Sequence, residues 1–144
     1  MSSARTLAVW CPDWPVVAVG ADAGTPAAVV SSGRVTACTS AARKAGVRRG
    51  QRLRDAQRHC PALDGRAEDP PGEARHFEQV AAVVESFCPR VEVVRPGLCA
   101  VPARGPSRYF GGEQAMADLV RGAVTALGVD CAVGVADGVF AATL

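Results

Sequence analysis

No apolar run in this chain approaches the ~20 residues that a membrane-spanning helix requires. The opening Met-Ser-Ser-Ala-Arg-Thr-Leu also lacks the long apolar region of a secretion signal. The expected address is the cytoplasm, with no membrane partner. Cys-x-x-Cys pairs are absent. The cysteines stand singly at 11, 38, 60, 88, 99 and 131, and neither histidine completes a zinc-ligand spacing. A disulfide framework is not expected without a secretion signal. Thiols inside apolar stretches read instead as buried core residues. No cofactor is implied, and there is no internal repeat and no low-complexity tract.

What is present is an ordinary globular composition. The 144 residues are 49% apolar and 21% charged, enough for one domain with a real core. Net charge is only +2, but it is unevenly placed. Arg43, Lys44, Arg48, Arg49, Arg52, Arg54 and Arg58 face a single acid, Asp55, within residues 43–58. Such a cluster is an electrostatic footprint for nucleic acid. Its competing reading is a solvated helix face.

Residues 91–103 form the centre of the pattern. Val91–Val94 is strand-like, Pro96-Gly97 is a turn dipeptide, and Leu98–Val101 is a second apolar strand. Amphipathic helices are predicted on either side, over 73–87 and 113–127. In the first, Phe77, Val80, Ala81, Val84 and Phe87 follow helical spacing. In the second, Met116, Leu119, Val120, Ala123, Val124 and Leu127 form a stripe. Strands are predicted at 6–11 and 131–135. This is a ferredoxin-like βαββαβ order, of α/β (α+β) class. Before the first of these helices lie a short helix at 15–19, a hairpin at 27–31 and 34–38, and short helices at 41–45 and 52–59. A polar Gly/Pro linker is predicted at 64–73. The domain reading is one body from 1–20 and 69–144, with 21–68 inserted as a small basic subdomain.

Smaller features have plain structural readings. Asp13 is expected to cap the first helix, and Asp137 a helix starting at Gly138. Thr39 or Ser40 caps the helix after the small hairpin. Trp10 and Trp14 read as core or interface packing rather than a stacking platform, and Tyr109-Phe110 as a helix-entry motif. His59 and His76 have no evident partner, and residues 104–107 read as loop.

The run Cys38–Gly50, with Arg54–Pro61 after it, resembles the fingers of Y-family (UmuC-like) DNA polymerases. That family shows an aromatic-x-A-R-x-x-G-V run, then a glycine and an E-A-x-x-x-x-P helix. The hairpin and helix 113–127 resemble the family palm, and Gly134–Ala142 its G-I-x-x-N-K-x-x-A segment. The resemblance covers nearly the whole chain in order. It implies a palm with inserted fingers, and a thumb, little finger and clamp-binding segment beyond Leu144.

The departures from the family pattern are specific. The family's metal-binding carboxylates fall, without gaps, on Trp10, Gly97 and Leu98, and none of these supplies the oxygen that Mg²⁺ wants. The family's nucleotide-packing Tyr is Ser40 here, and its phosphate-binding Lys is Val139. Arg43 matches its triphosphate-facing Arg. The same departures resemble the inactive ImuB-like branch of bacterial mutasomes. That branch is also matched at Leu7–Pro15, Arg95–Ala100, Arg108–Glu113 and Gly134–Gly138. The resemblance implies a non-catalytic scaffold in DNA-damage-induced (SOS) translesion synthesis. Its partners would be damaged DNA, an error-prone C-family replicative-type polymerase, a RecA-like accessory protein and the sliding clamp. The expected nucleic-acid or phosphate contacts are Arg43, Lys44, Arg48, Arg49 and Arg52. The alternative is an active translesion polymerase with displaced metal ligands, such as Asp13 and Glu92. A generic ferredoxin-like binding module is a third option, weakened by the basic insertion.

Overall fold

The computed structural model describes residues 5–137. The chain divides into two units, Met1–Pro12 with Ala74–Leu144, and Asp13–Glu73. The first carries β1 (Arg5–Trp10), β5 (Glu92–Arg95), β6 (Leu98–Pro102) and β7 (Ala132–Asp137) in one sheet. The order is β5-β6-β1-β7, and every neighbouring pair is antiparallel. This is the ferredoxin-like arrangement predicted from the hairpin and its flanks. α4 (Pro70–Glu85) and α6 (Glu113–Thr125) are the two long helices.

Helix burial follows the apolar spacing with one correction. Phe77, Val80 and Val84 of α4 are buried, as are Met116, Ala117, Val120 and Val124 of α6. Leu119, predicted as part of the α6 stripe, is exposed, and Leu127 lies exposed in the turn after α6, which ends at Thr125 rather than at 127. The buried arc is narrower than the apolar positions suggested and takes in the small Ala117 instead. The guanidinium of Arg5 on β1 pins α6 by two bonds to Glu113, at 2.9 and 3.0 Å. These bonds and the Arg5 charge hold the Glu113 carboxyl below the usual range.

The hairpin has the geometry its turn dipeptide demands. Arg95 pairs with Leu98, leaving Pro96-Gly97 as the two-residue turn, with Gly97 at φ +99°. Pro at the first central position and a positive-φ Gly at the second are the signature of a type II turn. Two other connections were misread. Residues 104–107, expected as loop, enter a short helix, α5 (Pro106–Tyr109). Phe110 then meets Phe87 at 5.6 Å and Tyr109 edge-on at 5.0 Å. Also, α4 starts at Pro70 rather than Glu73. Asp69 accepts the Gly72 amide at 3.1 Å, and Pro is tolerated in a first turn.

The second unit holds α1 (Trp14–Ala18), β2 (Ala27–Ser31), β3 (Arg34–Cys38), α2 (Ser40–Lys44), α3 (Leu53–His59) and β4 (Asp64–Ala67). Its sheet runs β3-β2-β4, with β2–β3 an antiparallel hairpin and β4 parallel to β2. β4 lies in the segment expected as linker. Its polar sequence, Asp-Gly-Arg-Ala, hides the strand, and Arg66 ties it down by donating to the Val19 carbonyl at 2.8 Å. Ala28, Val35, Cys38, Ala42, Val47, Ala56, Cys60 and Leu63 form a small core, with Leu53 packed on it. Thr39 caps α2, its hydroxyl accepting the Ala42 amide at 3.3 Å.

All six cysteines are free thiols; five are buried and Cys131 is half-buried. Burial pushes Cys11 and Cys99 from the ordinary 9.0 up to about 12. A charged aromatic disulfide reagent at pH 8 is expected to react with Cys131 first, and with Cys11 and Cys99 only after unfolding. The raised folded-state values also set a sign. Their stabilising contribution is complete below about pH 9 and is lost as pH rises towards 12. Stability to denaturant that holds constant across that window would contradict the burial of both thiols.

Candidate functional site

β1 and β6 bring Trp10, Gly97 and Leu98 together. Trp10 is in register with Leu98 on one side and with Ala132 on the other. The amide of Cys11 donates to the Gly97 carbonyl at 2.8 Å, so the turn is locked against the end of β1. Leu98 is 2% exposed, while Trp10 is 41% exposed. Of the two expectations for Trp10, core packing fails and interface packing stays open. It stands at the end of its strand with a large open face. Trp14 does pack: it is 4% exposed, and its Nε1 donates to the Glu73 carbonyl at 2.9 Å.

This junction offers an indole, a glycine and a buried leucine, and so no side-chain oxygen ligand. Among the described residues no three His, Cys, Asp or Glu side chains are grouped so as to hold a metal ion. The residues present do not fit a Mg²⁺ pair. Glu92 is opposite Ala100, an exposed residue on the edge strand. Asp13, expected as a helix cap, makes no side-chain cap bond. Its carboxylate is instead gripped by Arg43, at 3.1 and 2.8 Å. The bond to Asp13 raises the Arg43 pKa further. Asp13 itself sits at φ +56°, uncommon for a residue with a side chain. A carboxylate so engaged is a poor candidate for a displaced metal ligand.

The basic run lies along α2, the following loop and α3, and every basic residue in it is exposed. The structure sorts the named residues by what they already hold. Arg43 is committed to Asp13. Arg48 donates to the carbonyls of Arg43 and Val47 at 2.7 and 2.9 Å, bracing the loop. Lys44, Arg49 and Arg52 have no acidic partner among the described residues. Arg54 and Arg58 belong to the run but were not singled out; they project from α3 beside Arg52. Their i, i+4 spacing was the available signal. Ser40 is the exposed first residue of α2. Val139 and the helix expected after Asp137 lie outside the described residues.

Comparison with solved structures defines the class first. The chain superposes on a Dbh ternary complex with a TM-score of 0.82 at 16% identity, covering 96% of this chain and 43% of that one. An insertion ternary complex of Dbh DNA polymerase gives 0.83 at 17%, covering 96% and 44%. DinB from Sulfolobus solfataricus gives 0.76 at 18%, again covering 96% and 44%. The fold is thus that of the Y-family polymerase palm, and the chain spans under half the length of those polymerases. Residues 17–144 match the impB/mucB/samB family, and the chain belongs to it. No curated protein matches the sequence.

Proposed function

We propose that this chain is a non-catalytic member of its family, retained for binding DNA and partner proteins during translesion synthesis. One observation carries the reading. The positions that resemble the family's metal carboxylates are adjacent on β1 and β6, and they present Trp10, Gly97 and Leu98. Two-metal nucleotidyl transfer needs carboxylates that clamp the attacking and leaving oxygens. An apolar junction supplies no such clamp. The resemblance to the ImuB-like branch supports a mutasome scaffold, working at the nucleoid in the cytoplasm with an error-prone C-family polymerase, a RecA-like protein and the sliding clamp.

Primer extension with Mg²⁺ or Mn²⁺ tests the reading, and no templated addition is expected. Extension that survives in an Asp13→Asn, Glu92→Gln variant would also exclude the displaced-ligand alternative. The DNA-binding half has its own test. Lys44 and Arg49 have no acidic partner among the described residues, and neutralising phosphates releases counterions. Lys44→Ala with Arg49→Ala is expected to weaken oligonucleotide binding about threefold at low salt and to flatten its salt dependence. Unchanged affinity would leave the cluster a solvated face.

A further inference from the structure

We infer that the recess between the β2–β3 turn and the start of α3 binds a phosphate group of a nucleic-acid backbone. It is lined by Gly33, Arg52, Leu53, Arg54, Asp55 and Arg58 and encloses about 440 Å³. This rests on the DNA-binding part of the function proposed above and gives it a location.

The walls are fixed by backbone. Ser32 at φ +52° and Gly33 at φ +75° make the tight two-residue turn that hairpins favour. The Gly33 carbonyl accepts the Leu53 amide at 2.9 Å, and Arg34 forms a bridge with Arg52. Arg34 Nη1 closes the corner on the Gly50 carbonyl at 2.9 Å. The hairpin tip is thereby clamped to the first residues of α3, and the recess cannot collapse without breaking these bonds.

The charge inside is only partly compensated, three arginines facing one aspartate. Asp55 pairs with Arg58 at 3.3 Å, while Arg52 and Arg54 have no acidic partner among the described residues. Arg54 and Arg58, four apart, present like charges on one face of α3, which weakens a helix unless an anion lies between them. Guanidinium groups present a planar fork suited to phosphate oxygens. No aromatic ring lines the recess, and Leu53 is its one apolar side chain. A base would find no aromatic ring to stack on, and the guanidinium forks match phosphate oxygens, so the lining is assigned to the backbone rather than to a base.

The test uses the whole 144-residue chain with fluorescein-labelled oligothymidylate and, separately, inorganic phosphate. Arg52→Ala with Arg54→Ala is expected to weaken oligonucleotide binding about five- to tenfold at low salt and to lower the log–log salt slope by about 1. Arg52→Lys with Arg54→Lys should keep most of the slope, since charge survives. Far-UV circular dichroism confirms that each variant is folded. In parallel, phosphate should shift the Gly33 and Leu53 amide resonances of the parent but not of the double-alanine variant. If that variant binds oligonucleotide like the parent while Lys44→Ala/Arg49→Ala does not, the DNA reading stands and the recess assignment falls. If phosphate shifts the amides but the parent binds no oligonucleotide, the recess takes a free phosphate and the backbone assignment is overturned. Failure of both measurements overturns both.

Discussion

Trp10→Asp, Gly97→Asp and Leu98→Glu together are expected to destabilise the sheet before they yield any polymerase activity. Leu98 is buried, so Leu98→Glu removes core packing and places a carboxyl where nothing solvates it, at a cost of ~3–5 kcal/mol. Gly97 sits at φ +99°, where a side chain adds roughly 1–3 kcal/mol of backbone strain. Trp10→Asp costs less, because Trp10 is 41% exposed where Leu98 is buried. The sum approaches the whole stability of a typical domain, about 5–15 kcal/mol. Without a bound cation the three acids would also repel one another and raise their own pKa values. A fall in the thermal midpoint of about 10 °C or more is expected on calorimetry. Leu98→Met, a volume-conserving control, should cost under about 1.5 kcal/mol. A triple variant that melts like the parent and extends a primer with Mg²⁺ would show that the site was merely disarmed, and the expectation that these positions have become structural would fail.

The second large effect is expected at Thr39. Its hydroxyl donates to the Thr25 carbonyl at 2.7 Å and accepts the amides of Ala27 and Ala42 at 3.1 and 3.3 Å. Thr39 is 3% exposed, so water cannot replace these partners. Thr39→Val keeps the shape and strands two amides and a carbonyl, which costs ~2–4 kcal/mol. Thr39→Ser keeps the hydroxyl and should cost ~1 kcal/mol for the lost methyl group. Denaturant unfolding gives the totals. Amide hydrogen exchange gives the location, with Ala27 and Ala42 expected to lose protection in the valine variant alone. Equal losses in both variants would assign the role to packing rather than to the hydroxyl.

The parts of this chain that were legible from sequence were those set by local chemistry. Pro96-Gly97 between two β-branched or apolar runs dictated the hairpin, and the spacing of Phe77, Val80 and Val84 dictated a buried helix face. The strand order then followed from counting elements. The misread features are non-local or polar. β4 is stabilised by ladder bonds to β2 from across the unit, so its own residues carry no strand signal. Asp13 looked like a cap because its position is right for one. Its side chain turns to an arginine thirty positions away in the chain, which local pattern cannot anticipate. Leu119 shows the limit of periodicity: helical spacing says which residues share a side, not how wide a stripe the partner covers. Within the basic run the sequence located the charge but could not tell braced arginines, such as Arg48, from available ones, such as Arg49.

The register of the main sheet also sets an order of events during synthesis. β1 pairs with β6 through Thr6 and Pro102, and with β7 through Arg5 and Asp137, so it has no sheet neighbour until β6 has been made. At ribosomal speeds of about 5–20 residues per second, Leu7, Ala8 and Val9 wait roughly 5–20 s for their first partner strand. The Asp13–Glu73 unit, whose β2–β3 hairpin closes within twelve residues, has all its strands available well before then. Chaperone capture of the nascent chain should therefore fall on the first apolar strand, in the interval before β6 emerges.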